Sequence, residues 1–279
     1  NELSDNRPGF SSIFSTGVYT NTATKEIGGL FNRYLFDFPK PVEIIKQLIS
    51  QVSNTDDTIL DFFSGSATTA HAVMQLNAED GGNRRFILVQ IPELCDEKSE
   101  AYKAGYKNIC EIGKERIRRA GKKILEEHIQ VTMDEDKSPL DVGFRGFKLD
   151  TSNLKTWDAT PIEDEQLDLL YQRMNSMIHR VKPERTDLDM IYEIMLKLGV
   201  PLTYSVTSFS VNNKTVYGVG DDCLLLVCLA EDVQPEDIEQ MAEYAPAKII
   251  ISRDSFADDT AMANAYYILR DHGIELKLV

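Results

Sequence analysis

The stretch Ile-Leu-Asp-Phe-Phe-Ser-Gly-Ser-Ala-Thr-Thr-Ala, at residues 59–70, decides the fold of the N-terminal half of this 279-residue chain. It begins within a short apolar run, residues 58–62, whose composition is typical of a strand. Asp61 stands near the end of that run, the small residues 64–66 break it, and a helical pattern starts at Thr68. The residues therefore predict a strand, a tight turn and a helix in that order.

The flanking sequence continues this alternation of strand and helix. Apolar residues recur at helical spacing over 42–53, after a proline-fixed extended segment at 36–41. Beyond a loop at 80–83, residues 85–91 form a second apolar run, and residues 96–127 are largely helical in pattern. Strand, helix and strand with short connections predict a βαβ unit, so the expected fold class is α/β.

The turn after the first predicted strand has the composition of a ligand-binding loop. Gly65 lets a ligand approach the backbone closely, and the start of the next helix offers free N–H groups and partial positive charge. Ligands of open α/β sheets bind at the carboxyl ends of strands, so we expect a nucleotide-like cofactor here. The residues match neither the Walker phosphate loop nor the dinucleotide GxGxxG pattern. A plain tight turn, with Asp61 as a simple helix N-cap, is the alternative.

Charge divides the chain into two unlike halves. The net charge of −15 splits into −2 for residues 1–130, with 16 basic and 18 acidic side chains, and −13 for residues 131–279, with 14 and 27. The acidic half is expected to be repelled by nucleic-acid phosphates and suits protein contacts instead. A dense basic run, residues 114–123, lies in the near-neutral half and is either a phosphate-facing helix or a solvated helix face.

A polar, acidic stretch at residues 128–142 marks the predicted domain boundary. We assign residues 1–140 to one domain and residues 141–279 to a second, smaller α/β domain. Residues 1–35 have no periodicity and are predicted to be irregular. Strands are predicted at 142–149, 202–210, 214–219, 224–229, 248–252 and 274–278, and helices at 163–181, 187–198, 235–244 and 260–272. The dipeptide Asn212-Asn213 is typical of a hairpin turn.

Composition excludes several classes of protein. No apolar run approaches the roughly 18 residues that a membrane span needs, so an integral membrane protein is excluded. The cysteines lack CxxC spacing and the histidines lack HExxH spacing, which argues against a disulfide scaffold or a zinc site and favours a reducing cytoplasm. Asp254, Asp258 and Asp259 form an acidic cluster before a predicted helix, and we interpret it as a capping segment rather than a metal site.

Several stretches of the sequence resemble one known family. Asp-x-Phe-x-Gly-Ser-x-Thr-Thr-Ala at residues 61–70 is similar to the S-adenosylmethionine loop of beta-class DNA amino-methyltransferases. From about residue 20 onward, the sequence resembles the modification (Mod) subunit of type III restriction-modification systems. The further stretches that carry this resemblance are residues 36–41, 71–77, 81–90 and 146–150. The resemblance implies a partial Rossmann-like methyltransferase sheet followed by an assembly domain.

The resemblance also implies roles in binding S-adenosylmethionine. Asp61 would bind the amino group of its methionine part, Phe63 would pack near the cofactor, and Thr69 would cap the helix. In many relatives an acid after the second strand binds the ribose; here Gln90 stands there, with Glu93 three residues on, and either could take that role. The residues implied to line the methionine end or to lie against the cofactor are Lys40, Pro41, Ser64, Gly65, Ser66 and Thr68.

Besides Gln90, three further positions depart from the family's pattern or have simpler explanations. Ala67 stands where the family usually has glycine, and its side chain restricts the backbone of the loop. Lys40 is otherwise explained as a surface lysine, and Glu93 is otherwise explained as a turn residue. The cofactor assignment therefore depends most on Asp61 and the small residues that follow it.

The catalytic tetrapeptide of these enzymes, Asp-Pro-Pro-Tyr or a near variant, does not occur in the sequence. In the family it orients the amino group of a flipped base, and it precedes the cofactor loop. Since the chain begins at Asn1, just ahead of that loop, we expect a C-terminal portion of a longer Mod-like protein that is inactive alone, with no catalytic residue of its own. The whole protein would bind DNA and methylate adenine at N6, and residues 141–279 would dock the restriction (Res) subunit or a second Mod subunit.

Other functions are open on the sequence alone. The same loop could serve an RNA or small-molecule methyltransferase, or a nicotinamide enzyme. The cofactor pocket could also be vestigial in a non-catalytic module for subunit assembly. Comparing the binding of S-adenosylhomocysteine with that of NAD would separate the enzyme classes.

Overall fold

The computed structural model describes residues 20–131, 140–162, 166–178 and 180–279 of the chain. The chain forms two compact units, of which the first extends to Gly146 and the second runs from Phe147 to Val279. Each unit contains both helices and strands, which confirms the α/β class. The two units are described separately below.

The N-terminal unit is a pair of parallel strands flanked by helices. Its elements are α1 (Thr20–Phe31), α2 (Val42–Val52), β1 (Thr58–Phe62), α3 (Thr68–Asp80), β2 (Arg85–Val89), α4 (Glu100–Lys103) and α5 (Ile109–Val131). β1 and β2 pair in parallel, with Asp61 opposite Leu88. The predicted strand, helix and strand are confirmed, and the carboxyl ends of both strands lie at one edge, beside the loop into α3.

The two faces of this small sheet have different surroundings. On one face, Ile59, Phe86 and Leu88 pack against α2, α3 and α5 in the core of the unit. The large apolar side chains of the opposite face, which are exposed, are Leu60, Phe62, Ile87 and Val89. Parallel sheets are normally covered by helices on both faces, so further structure can add at this exposed face.

The prediction that residues 1–35 are irregular is wrong for residues 20–31, which form α1. The buried side chains of this helix, Ala23, Ile27 and Phe31, recur at every fourth position. That spacing is a helical period, but the Ser, Thr, Asn and Gly residues around it obscure the pattern. The part of the prediction that concerns residues 1–19 lies outside the described residues.

The single helix predicted at 96–127 is two helices in the structure. The short α4 ends at Lys103, and Gly105 then adopts a φ of +96°, which ends helical geometry before α5 begins at Ile109. α3 is longer than predicted, because it continues through the expected loop start to Asp80 and ends at the left-handed Gly81. In both cases the structure differs from the prediction in the position at which a glycine with a positive φ ends the helix.

Residues 142–149 are not a strand, contrary to the prediction; they have no regular secondary structure. Leu140, Val142 and Phe144 do alternate, because they pack against the core between α3 and α5. A methyl group on Gly121 of α5 would lie 3.0 Å from Val142 Cβ, so the glycine makes room for this segment. The alternation of apolar residues that suggested a strand is thus produced by contact with helices. Among the described residues, no strand pairs with this segment.

The C-terminal unit is a five-stranded mixed sheet with helices on both faces. Its elements are α6 (Leu167–Ser176), α7 (Asp187–Leu198), β3 (Val206–Val211), β4 (Lys214–Val219), β5 (Leu225–Cys228), α8 (Pro235–Ala242), β6 (Lys248–Ile251), α9 (Asp259–Asp271) and β7 (Glu275–Leu278). The strands lie in chain order; β3 to β5 are antiparallel, and β5 to β7 are parallel. α7 covers one face, and α8 and α9 cover the other.

Local sequence signals explain most of these boundaries. Asn212 and Asn213 have φ angles of 47° and 67°, which confirms the predicted hairpin turn between β3 and β4. Thr186 and Asp189 form a reciprocal capping box at the start of α7, and Pro235 opens α8. Turn and capping residues act through their own backbone, so they can be recognised without knowledge of the tertiary structure.

α6 is shorter than predicted. The helix predicted at 163–181 spans Leu167 to Ser176, and residues 163–165 and 179 lie outside the described residues. No residue of α6 is buried. None of the described helices, this one included, has both the length and the apolar character needed to cross a membrane.

Glu193 on α7 holds the first residues of the C-terminal unit. Its carboxylate accepts hydrogen bonds from Ser152 Oγ at 2.6 Å and from the backbone N–H of Asn153 at 2.7 Å, and it pairs with Lys197 at 2.7 Å. Burial by itself raises the pKa of Glu193, but its hydrogen bonds to Lys197, Ser152 and Asn153 outweigh that effect and lower the pKa to about 2. The charged carboxylate therefore stabilises the folded state.

We expect the substitution Glu193→Gln to reduce the pH dependence of the unfolding free energy. A carboxylate with a lowered pKa stabilises the fold fully above its unfolded pKa of 4.5, and the contribution is lost as the pH falls through about 2. The side chain is only 14% exposed, so the wild type should lose up to about 3 kcal/mol in this range that the variant does not lose. Chemical denaturation at several pH values measures the difference.

Glu184→Gln is the matched control, because Glu184 is an exposed acid in the segment before α7. That variant should follow the wild type throughout the acid range. If Glu193→Gln and the wild type lose stability in parallel between neutral pH and about pH 2, the stabilising role of the Glu193 charge is contradicted.

Candidate cofactor-binding site

The loop between β1 and α3 has an uncommon backbone conformation. Phe63, Gly65 and Ala67 have φ angles of 61°, 54° and 59°, all in the left-handed region. Phe63 and Ser64 donate backbone hydrogen bonds to the carbonyl oxygen of Val89 at 2.8 and 3.2 Å, which ties the loop to the end of β2. A left-handed residue other than glycine costs roughly 1–2 kcal/mol, so neighbouring contacts must hold the loop in this shape.

Asp61 lies at the carboxyl end of β1 and contacts the first turn of α3. Thr69 Oγ1 donates a hydrogen bond to Asp61 Oδ2 at 2.5 Å, whereas no described residue donates to Asp61 Oδ1. The capping role expected for Thr69, and the alternative of Asp61 as an N-cap, are both wrong, since Ala67 is the N-cap residue and no described side chain caps this helix. One carboxylate oxygen and the first N–H groups of α3 thus lack a side-chain partner in the described structure.

Gln90, one residue after β2, reaches into the loop. Its Oε1 accepts a hydrogen bond from the backbone N–H of Gly65 at 2.6 Å, and its Nε2 donates to the carbonyl oxygen of Ile91 at 3.1 Å. The Gln90 amide therefore fixes the loop at its glycine. Glu93 is exposed, and no described contact brings its carboxylate to the loop. Its backbone instead bonds to Ile91 and Ile109.

The predicted segment Lys40–Pro41 lies against the loop. Thr68 Oγ1 donates to the carbonyl oxygen of Lys40 at 3.3 Å, and Pro41 is buried while the Lys40 side chain is exposed. The backbone N–H of Val42, at the start of α2, donates to Glu26 Oε2 of α1 at 3.1 Å. Burial raises the pKa of Glu26. Segments that are separate in sequence thus meet at one end of the strands.

Arg116 on α5, a residue that the sequence did not single out, completes the loop from its buried side. The arginine is fully buried. Its Nη1 donates to Ser66 Oγ at 2.7 Å, to Thr68 Oγ1 at 2.8 Å and, more weakly, to the carbonyl oxygen of Ser66 at 3.4 Å. The available sequence signal was its place in the basic run, which gives no indication that one member points inward.

The rest of the basic run 114–123 is used largely within the unit. Arg119 donates to the carbonyl oxygen of Leu30 at 3.0 Å and lies over the ring of Phe31. Exposed lysines lie near acids one turn further along α5, with Lys122 3.9 Å from Glu126 and Lys123 3.7 Å from Glu127. These contacts favour a packed and solvated helix face over a phosphate-facing one.

The solvent-accessible part of the loop is its first half. The Phe63 side chain is 66% exposed, and Ser64 and Gly65 are partly buried. Ser66 and Thr68 are buried, and their hydroxyl oxygens are bound to Arg116. Of the predicted cofactor residues within 63–69, Phe63, Ser64 and Gly65 are therefore the accessible ones.

We expect Ala67→Gly to change the unfolding free energy by less than about 1 kcal/mol, although Ala67 is buried. Removing the side chain relieves about 1–2 kcal/mol of left-handed strain, which offsets the roughly 0.8 kcal/mol lost with the methyl group and the greater freedom of glycine in the unfolded chain. Ala70→Gly, three residues on in regular α3, is the matched control. It should cost about 2 kcal/mol in chemical denaturation, and equal losses at the two positions would contradict the strain.

The capping role predicted for the acidic cluster of the C-terminal unit is confirmed for Asp258. Asp258 is the N-cap residue of α9, and its carboxylate accepts a hydrogen bond from the backbone N–H of Ala261 at 2.8 Å. Asp259 lies 3.7 Å from Arg253. Among the described residues, no group of three histidine, cysteine or acidic side chains is arranged to hold a metal ion.

Comparison with known proteins shows what the segment around this loop is similar to. Residues 3–122, which contain β1, the loop, α3 and β2, match the family model described as DNA methylase. The segment that carries the candidate site is therefore similar to a DNA methylase domain throughout.

Curated relatives make the class more specific. The type III restriction-modification enzyme StyLTI Mod subunit of Salmonella typhimurium is 40% identical over 149 residues, which are 52% of this chain and 22% of that protein. The EcoPI Mod subunit of Escherichia phage P1 is 45% identical over 123 residues (44% and 19%), and the EcoP15I Mod subunit of Escherichia coli is 35% identical over 153 residues (53% and 23%). The chain spans about a fifth of the length of these relatives. The predicted resemblance to the Mod subunits of type III restriction-modification systems is confirmed over about half of the chain.

Proposed function

We propose that the loop from Asp61 to Thr69 binds S-adenosylmethionine, and that the chain supplies the cofactor-binding part of an adenine-N6 DNA methyltransferase of a type III restriction-modification system. The observation that carries this proposal is the convergence of three distant segments. Residues 40–41, 61–69 and 90 meet through side-chain hydrogen bonds at the carboxyl ends of two parallel strands. Ligands of open α/β sheets bind at this position.

The residues present fit a ligand that is both an amino acid and a nucleoside. Asp61 Oδ1, which has no described partner, suits the ammonium group of the methionine part, and the uncapped N–H groups of α3 suit its carboxylate. Phe63 offers an exposed ring, and Ser64 and Gly65 offer accessible backbone. Because the hydroxyl groups of Ser66 and Thr68 are bound to Arg116, we propose that these two residues contribute through their backbone.

Gln90 and Lys40 take supporting roles in this proposal. The Gln90 amide accepts a hydrogen bond from the N–H of Gly65, so it shapes the loop. Gln90 also stands where the family resemblance places the ribose-binding residue. Glu93 is a weaker candidate for the ribose, because its exposed carboxylate has no described contact with the loop. Lys40 contributes a backbone carbonyl to the loop and has an exposed side chain free to approach the cofactor, with Pro41 buried beneath it.

The proposed chemistry asks the chain to bind and orient rather than to react. When bound, S-adenosylmethionine supplies a methyl group on a positively charged sulfur, which is already an activated leaving group. The loop would fix the direction of that methyl group, and positioning supplies most of the catalysis in such a transfer. In the whole protein, the exocyclic nitrogen of adenine would form the new N–C bond as the C–S bond breaks, and the nitrogen would lose a proton.

We further propose that β1 and β2 belong to a Rossmann-like methyltransferase sheet. The unit β1–α3–β2 is parallel, and its two strands leave one apolar face exposed. Two strands do not make a stable parallel sheet on their own. The exposed apolar face is therefore evidence for a larger sheet, in which further strands pair at the edges and helices cover that face.

For the C-terminal unit we propose a role in assembly with the restriction subunit or with a second Mod subunit. The net charge of −13 over residues 131–279 supports a protein partner, since DNA would be repelled. Contact with DNA would then fall to the rest of the whole protein. The test is co-purification with the restriction subunit and with a second, tagged Mod subunit, with and without residues 150–279; equal recovery of both would contradict the proposal.

Isothermal titration tests the cofactor proposal. S-adenosylhomocysteine and S-adenosylmethionine should bind with a stoichiometry of one, and NAD should give no heat. Binding of NAD alone would favour a nicotinamide enzyme, and binding of neither would favour a non-catalytic assembly module. Either outcome would overturn the proposed function.

A further inference from the structure

We propose that Arg116 is a positioning residue for the cofactor loop, which it holds from the buried side without touching the ligand. The proposal rests on the proposed function, because it assumes that the loop binds S-adenosylmethionine. It goes further by assigning a role to a residue of α5 that lies far from the loop in sequence and outside the motifs that carry the family resemblance.

One nitrogen atom of Arg116 connects three parts of the chain. Nη1 donates to the side-chain oxygens of Ser66 and Thr68, at 2.7 and 2.8 Å. The Thr68 hydroxyl in turn donates to the carbonyl oxygen of Lys40, at 3.3 Å. α5, the loop and the segment before α2 are therefore linked through a single guanidinium group, and a shift of Arg116 would shift both sides of the proposed site.

The contacts of Arg116 bracket one of the two non-glycine residues of the loop that have a left-handed backbone, the other being Phe63. Ala67, with a φ of 59°, stands between Ser66 and Thr68, whose oxygens Arg116 binds. A side chain in the left-handed region is unfavourable by roughly 1–2 kcal/mol, and glycine would avoid that cost. The hydrogen bonds of Arg116 on either side of Ala67 therefore hold the backbone in a conformation that an alanine at this position does not favour.

Stability alone does not account for a charged group at this place. Arg116 is 0% exposed, and its Nε and Nη2 atoms have no hydrogen-bond partner among the described residues. Burial lowers the pKa of Arg116 to about 10, against the opposing charge of Glu26, so the guanidinium is still charged at neutral pH. A buried cation held mainly by neutral oxygens is costly compared with an apolar side chain of similar size. The cost of burying the guanidinium is explained if Arg116 maintains the geometry of the loop.

The neighbouring histidine is not the group that holds the loop. Burial, together with the charges of Arg116 and of nearby lysines, lowers the pKa of His71 to about 3, so His71 is neutral at physiological pH. Its Nδ1 atom is buried without a hydrogen-bond partner among the described residues. Among the described side chains that contact the buried side of the loop, Arg116 is thus the charged donor.

The chain contains a matched control arginine. Arg84, at 7% exposed, is almost as buried as Arg116 and belongs to the same unit. It contacts the opposite end of α3, where it pairs with Asp80 at 2.8 Å and lies next to Asn77. Removing Arg84 should therefore disturb the fold to a comparable degree without reaching the cofactor loop.

The experiment compares Arg116→Met, Arg116→Lys and Arg84→Met. Titration with S-adenosylhomocysteine gives the affinity, and amide hydrogen exchange gives the mobility of residues 65–69. Arg116→Met should lower the affinity at least about 10-fold, the order expected for loss of hydrogen bonds from a charged group, and should raise the exchange rates of those amides. Arg116→Lys should recover part of both, and Arg84→Met should lower the unfolding free energy with affinity within about twofold of wild type.

Two outcomes would overturn the proposal: wild-type affinity in a folded Arg116→Met variant, or an equal loss of affinity in Arg84→Met. If Arg116→Met does not fold, Thr68→Val removes an acceptor instead, and unchanged affinity and exchange in that variant would also overturn it. If the wild type itself does not bind S-adenosylhomocysteine, the proposed function fails. The exchange rates of residues 65–69 in Arg116→Met then still decide whether Arg116 holds the loop.

Discussion

Replacing Asp61 with asparagine should weaken the binding of S-adenosylmethionine about 10- to 100-fold while leaving the chain folded. A hydrogen bond between two charged groups contributes about 1.5–3 kcal/mol, and each 1.4 kcal/mol is about a tenfold change in affinity. Asparagine keeps an oxygen that can accept from Thr69 Oγ1, so the contact that joins β1 to α3 can survive. What it removes is the negative charge that we propose for the ammonium group of the ligand.

Titration of the cofactor into purified variants measures this effect, and thermal unfolding shows that the fold is kept. Asp56→Asn is the matched control, because Asp56 is an exposed acid at the opposite, amino-terminal end of β1. The control should bind like the wild type. A folded Asp61→Asn or Asp61→Ala variant with wild-type affinity would contradict the role proposed for Asp61.

The second large effect concerns the C-terminal unit: Leu226→Ala should lower its unfolding free energy by about 3–4 kcal/mol. Leu226 lies in β5, the central strand of the five, and its side chain is completely buried among α8, α9 and the neighbouring strands. β4 and β6 pair on either side of it, at Gly218 and Ile249. Such a site cannot collapse easily around the missing isopropyl group, so the cavity cost adds to the lost burial.

Leu224→Ala is the control for this prediction. Leu224 immediately precedes β5 and is 40% exposed, so the same substitution should cost less than about 1 kcal/mol there. Chemical denaturation of both variants gives the two values. Similar losses at the two positions would show that β5 is not the centre of a packed sheet.

The elements that could be predicted from sequence are those whose signals are local. β1, α3 and β2 were recognised because an apolar run, a set of small residues and a helical pattern follow one another within 59–91. The Asn212-Asn213 hairpin and the Asp258 cap were recognised because these residues shape their own backbone. The resemblance to Mod subunits added the residue roles that spacing alone could not give.

The elements that were missed depend on contacts between distant residues. The alternation of Leu140, Val142 and Phe144 has the period of a strand, but it is produced by packing against two helices. Arg116 looks like any member of a basic helix until the fold places it behind the loop. Ala67 could be recognised as a departure from glycine, but its left-handed φ and the groups that hold it become visible only in the structure.

A crystal structure of the chain with bound S-adenosylhomocysteine tests the central claim most directly. The account predicts the ligand at the carboxyl ends of β1 and β2, with its ammonium group within about 3 Å of Asp61 Oδ1 and its amino-acid part over Ser64 and Gly65. A ligand bound elsewhere on the chain, or a crevice filled by protein side chains, would contradict it.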